Sequence, residues 1–183
     1  MKYVKNLVKI LFLAQCLLLF CTCDKKEVVT TEQNILNLAD FVKCPFNEEF
    51  DSNTNLEKYV LKKFGKPKYI RKWRAPLYDY SKVVADQIYI QYVGYSFDIY
   101  RGVFKKFEVF KNIYIRRDYT DFKYRINNET TIQDVERLFG KPESVDDRDS
   151  YFYIYSPEGP YQYHLRIAFI DGKIYSISID IKM

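Results

Sequence analysis

The chain has 183 residues, 48% of them apolar, with a formal net charge of +5. That suits one domain of ordinary size, or two small ones, with a packed core. The cysteines Cys16, Cys21, Cys23 and Cys44 lie mostly in or at the end of an N-terminal leader, which excludes a framework of internal disulfides in the folded part. Tyr (18) and Phe (14) are frequent and fit half-buried sheet surfaces, so a strand-rich fold is expected. Three of the positive charges, Lys2, Lys5 and Lys9, belong to the leader. The rest are uneven: residues 57–118 carry 15 Lys/Arg against 6 Asp/Glu, whereas 119–183 carry 8 against 11 and 23–56 carry 3 against 7. A basic middle with acidic flanks can attract phosphate, anionic lipid or an acidic partner.

Residues 1–22 read as a signal peptide. A short basic stretch precedes the apolar run Ile10–Phe20, and polarity returns at once with Asp24-Lys25-Lys26-Glu27. The run is too short to cross a bilayer comfortably, since a helix needs about 20 residues. Its end, Leu19-Phe20-Cys21-Thr22-Cys23, resembles a bacterial lipoprotein signal, which implies lipidation of Cys23. Phe20 stands where that pattern usually has a small residue. The alternative, an uncleaved anchor helix, places the folded part on the same side of the membrane. Either way the chain is expected to be exported and held at a cell-envelope membrane, the outer membrane or cell surface in a diderm organism.

Residues 23–53 are polar and acidic apart from Ile35–Val42. They read as a tether with one docking element, a short helix, and as a spacer between anchor and domain. Two α+β segments follow, 54–120 and 128–183, marked by a repeat: Phe64-Gly65-Lys66-Pro67 recurs as Phe139-Gly140-Lys141-Pro142. Each copy ends an apolar-periodic stretch. Leu56, Val60 and Phe64 share one helical face in the first; Ile132, Val135, Leu138 and Phe139 do so in the second. Thr131 with Asp134 has the capping-box spacing, as does Thr54 with Glu57. Gly permits the positive φ that closes a helix and Pro stops its continuation. A phosphate loop would need more glycines and a following Ser or Thr.

Strands are expected after each helix. In the first segment they fall at Gln87–Val93, Tyr95–Arg101 and Val103–Ile115, after an insertion near Ala75–Ala85. In the second they fall at Tyr151–Tyr155, Tyr161–Phe169 and Ile174–Ile181, with Asp171-Gly172 as a hairpin turn. The expected fold is α+β: two tandem repeats, each with short helices packed on a three-stranded antiparallel meander.

Asp134-Val135, Phe139-Gly140-Lys141-Pro142, the Tyr-rich strand and Leu165–Ile174 together resemble the BamE/SmpA/OmlA family of small outer-membrane lipoproteins. A tandem pair of such units resembles the β-lactamase inhibitor protein architecture. The resemblance covers 130–181 well and 54–118 weakly. The chain departs from the family in its two copies and in Tyr153 and Tyr155, where a Trp-containing strand is common. It implies helices on a three-stranded sheet; a role in outer-membrane protein assembly does not follow from fold alone.

Sites for chemistry are sparse. His164 falls on the polar face of its strand, Cys44 lies beside Pro45 in the tether, and Asp146-Asp147-Arg148-Asp149 lacks the Gly and Glu of a calcium loop. No metal site or cofactor is expected. The aromatic and basic first segment is the better surface. Trp73, between Lys72 and Arg74, is its centre, with Arg71 and Arg74 as companions. Export argues against nucleic acid as partner. The expected function is a membrane-anchored lipoprotein acting as a non-catalytic protein-interaction module in the cell envelope. The alternative is an envelope lipid- or glycan-binding protein, or an enzyme, using the basic aromatic first segment.

Overall fold

A computed structural model of the protein describes residues 31–51, 53–76, 84–102, 108–116, 120–157 and 161–182. Residues 1–22, read above as a signal peptide, and Cys23 lie outside them. The fold is α+β. Eight strands form one antiparallel sheet, β1 (Tyr69–Pro76), β2 (Val84–Gln91), β3 (Tyr95–Gly102), β4 (Glu108–Arg116), β5 (Ser144–Val145), β6 (Ser150–Tyr155), β7 (Gln162–Ile170) and β8 (Lys173–Lys182), in the order β1-β2-β3-β4-β8-β7-β6-β5. Among the described residues three α-helices, α1 (Thr31–Lys43), α2 (Leu56–Phe64) and α3 (Ile132–Phe139), cover one face.

Each half of the chain places four strands in the sheet, one more than expected. The two fourstrand sets meet where β4 pairs with β8, Asn112↔Asp180 through Arg116↔Ser176. Alternation decides which side chains meet the helices. Ile113 and Ile115 of β4 lie beside Ile179 and Ile177 of β8, and beyond them Phe97, Ile99, Leu165 and Ile167 complete a buried apolar floor.

Besides the short β5, the strand missing from the sequence reading is β1, which reaches the expected insertion only at Ala75 and Pro76. It is an edge strand whose charged side chains go to both faces, so it has no apolar alternation to read. Lys72 and Arg74, with Arg71, also blunt a sheet edge that another chain would otherwise pair with. The opposite edge, β5, is only two residues long.

Residues 31–50, expected as tether with one docking element, pack on the domain beyond that element. Helix α1 buries Leu38, Phe41 and Val42, and Cys44, Pro45 and Phe46 are buried after it. Rings explain why. Phe46 packs on Phe122 (5.4 Å), Phe122 on Phe41 (6.0 Å), Phe41 on Phe139 (5.3 Å) and Phe139 on Tyr153 (5.8 Å), so one aromatic row runs through the helical layer from one half to the other. Asp40 of α1 accepts hydrogen bonds from Lys123 Nζ (2.9 Å) and the Tyr124 hydroxyl (2.8 Å), fixing α1 to the connection between the halves.

The helix ends follow local chemistry. Thr131 and Asp134 form the expected capping box. For α2 the cap is Asn55, which accepts from Lys58 N–H at 2.8 Å, while the Thr54 hydroxyl turns to Asp51. Gly65 and Gly140 both close their helices at positive φ, 73° and 78°. A tyrosine seals each closure: Tyr92 donates to Gly65 O (3.0 Å) and Tyr153 to Gly140 O (3.1 Å), and each ring stands 5.8 Å from the Phe before that glycine.

Gly94 is a third special glycine, in the β2–β3 turn. Its φ is +85°, and a Cβ there would stand 2.4 Å from Arg116 O. Gly94→Ala must therefore strain the turn or push it off β4. An unfolding free energy lower by about 1–3 kcal/mol is expected, read as a shifted denaturation midpoint; an unchanged midpoint would contradict this packing.

Candidate functional site

The register of the sheet builds its second face, the one turned away from the helices, row by row. One row runs Arg71, Tyr89, Asp98, Asn112, Asp180, His164 and Ile154 across β1, β2, β3, β4, β8, β7 and β6. A parallel row runs Tyr69, Gln91, Ser96, Tyr114, Ser178, Arg166 and Phe152. These are the polar and aromatic positions left when the apolar set faces the helices.

The face has three zones. At the β1 end, Trp73 is half-buried with the Arg71 guanidinium 5.5 Å from its ring, and Tyr69, 48% exposed, packs edge-on against Tyr89. In the middle, Asp98 and Asp180 flank Asn112. Burial pushes the Asp98 carboxyl above its ordinary range; Lys111 opposes that and Asp180 adds to it. Lys111 also lies over the buried Tyr100 ring at 5.2 Å. At the far end, the Arg166 guanidinium stands 5.5 Å from the Phe152 ring.

Of the residues singled out in the sequence, Trp73 and Arg71 meet on this face. Arg74 does not join them: it projects to the helix side and pairs with Asp86 at 3.0 Å. That reversal is the period of a strand, which sends neighbours to opposite faces. Cys23 is outside the described residues. Tyr89, one of the rings of the basic first segment, joins Trp73 and Arg71, and Tyr69, Tyr114, Arg166 and Phe152 join the face without having been singled out as a surface. Strand alternation marks their side of each strand, but only the order of strands brings them together.

The remaining candidates separate. Cys44 is buried on the helix side, its thiol donating to Phe46 O (3.4 Å) and to Glu48 O, and burial pushes that thiol up. His164 belongs to the opposite face, 2.7 Å from Gln162 Oε1 through Nε2, and burial with Lys182 lowers its pKa. The two cannot form a nucleophile–base pair across the sheet. Asp146 organises a turn, accepting from Arg148 N–H and Ser150 N–H at 2.9 Å and pairing with Arg166 at 3.3 Å. Among the described residues no group of three or more His, Cys, Asp or Glu is placed to hold a metal ion.

Chemically, the open face offers amphipathic rings, guanidinium groups and a central acidic stripe, spread over a sheet rather than converging on a point. Such a surface suits recognition of another macromolecule. Compared with models of protein families, with curated proteins and with solved structures, the chain matches none.

Proposed function

We propose that this chain is a lipoprotein of a bacterial cell envelope, anchored through lipid on Cys23, whose folded part is a non-catalytic protein-interaction module. The observation that carries the interaction role is the open face of the sheet, where Trp73, Arg71, Tyr69 and Tyr89 form one zone and Arg166 with Phe152 another. Tyr, Trp and Arg are the residues that most often dominate binding at protein interfaces.

The folded part is read as two BamE-like units in tandem, 54–120 and 128–183. Support comes from the recurrence of one device in both: a helix closed by Phe-Gly-Lys-Pro, a tyrosine hydroxyl on the glycine carbonyl, and an antiparallel meander behind it. The last strands of the two meanders, β4 and β8, are the ones that pair.

Pull-down from envelope fractions tests the role. The variant carrying Arg71→Glu and Trp73→Ala should recover roughly tenfold less of any partner held by the unaltered chain, given about 1.4 kcal/mol or more lost on truncating such contacts. Equal recovery, or turnover of an envelope substrate with no partner, would contradict it. The anchor is tested by growing cells with a clickable fatty acid. Label should enter the unaltered chain and be lost in Cys23→Ser; label retained by that variant would remove the assignment to this cysteine.

A further inference from the structure

The pairing of β4 with β8 covers Asn112–Arg116 against Ser176–Asp180. Beyond it, Glu108–Lys111 and Ile181–Lys182 extend without pairing to each other. The helical layer divides at the same place, with α1 on α3, β6 and β7, and α2 on β4. The result is a cleft of about 410 Å³ on the helix side, within the range of small-molecule sites. Leu56, Phe110, Ile113, Ile179 and Ile181 give it apolar walls.

Its charges are unequal in availability. Asp51 and Glu108 lie on the α2/β4 side and are engaged. Asp51 accepts from Asn53 N–H (2.8 Å) and the Thr54 hydroxyl (3.0 Å), and Glu108 from Arg101 (2.7 Å) and Glu57 N–H (3.3 Å). Lys43, on the α1/β7 side, forms no ion pair among the described residues. Its ammonium rests 5.4 Å from the Tyr155 ring, and its acidic neighbour Asp40 is already held by Lys123 and Tyr124. The Tyr163 ring stands 6.1 Å from that of Tyr155, so a phenol borders the same corner.

We propose that this cleft binds a single-chain anionic amphiphile, a carboxylate with an aliphatic tail, whose head meets Lys43 and Tyr163 and whose tail lies on the isoleucine floor. Apolar walls with one available cation at the rim among the described residues match that ligand and disfavour a cationic or fully polar one. The site is on the face opposite the proposed partner surface, so either can fail without the other.

Methyl NMR of the isoleucine-labelled full chain tests it, with decanoate and decanol as probes below their aggregation limits. Decanoate should shift the methyls of Ile113, Ile179 and Ile181 saturably and leave Ile88 and Ile90 unmoved. Decanol should bind roughly tenfold more weakly, lacking the charge-assisted contact. Lys43→Gln should bring decanoate to the level of decanol, with the Ile88 and Ile90 signals reporting that the variant is folded. Unmoved cleft methyls, or uniform shifts at all isoleucines, overturn the site. Equal binding of the two probes by the unaltered chain overturns the head-group assignment, as does a folded Lys43→Gln chain that still prefers decanoate.

Discussion

Phe46→Ala is expected to lower the unfolding free energy by about 3–5 kcal/mol, a large share of the roughly 5–15 kcal/mol available to a domain. Phe46 is 1% exposed and stands among Phe64 and Tyr59 of α2, Phe97 of β3, Phe110 of β4 and Phe122 of the connection between halves. Removing its ring leaves a cavity bordered by strand, helix and linker, which cannot all close in together. Because the aromatic row continues through Phe41 and Phe139, the loss should weaken both halves in one transition. Urea denaturation followed by far-ultraviolet circular dichroism measures it. A change under 1 kcal/mol would mean that Phe46 is not the keystone of that row.

The second large effect is expected from Arg101→Met. Glu57, in the first turn of α2, accepts from Lys72 (2.6 Å) and Arg101 (2.9 Å), and Arg101 also holds Glu108 at 2.7 Å. The Glu57 and Glu108 side chains are only 14% and 9% exposed. Met keeps the volume and apolar contact of the stem but leaves Glu108, among the described residues, with the Glu57 N–H alone, so destabilisation of about 3 kcal/mol is expected near neutral pH. Burial alone would raise the Glu57 carboxyl; hydrogen bonds and charge from Lys72 and Arg101 outweigh it and hold it below the usual carboxylate range. A depressed folded pKa stabilises above the unfolded value and is lost as pH falls through the folded one. The gap between the unaltered chain and the variant should therefore narrow below about pH 4, where unfolded carboxylates protonate. A gap that stays constant with pH would assign the loss to packing rather than to charge.

Where the local pattern decides the structure, the sequence is legible. Thr131 and Asp134 form their capping box, the β6–β8 meander follows its alternation, and Asp171-Gly172 turns with both φ angles positive. Edge strand β1 is not legible, because Lys72 and Arg74 serve Glu57 and Asp86 where an inner strand would carry apolar side chains. A docking element is legible at Ile35–Val42, but where it docks is hidden, since Phe41 and Phe46 acquire their meaning only from Phe122 and Phe139, far along the chain. The same limit applies to the candidate face. Trp73 with Arg71 follows from one strand, but the rows that add Tyr114, Arg166 and Phe152 depend on β4 pairing with β8, a contact that no local pattern encodes.

The central claim, that the open sheet face engages a partner in the envelope, is tested most directly by a photo-crosslinking amino acid placed singly at three exposed positions. Positions 69 and 114 lie on the open face, and position 62 lies on α2. Irradiated cells should yield the same discrete adduct from Tyr69 and Tyr114 and none from Lys62. An adduct from position 62 alone, or none from either sheet position, would contradict the claim.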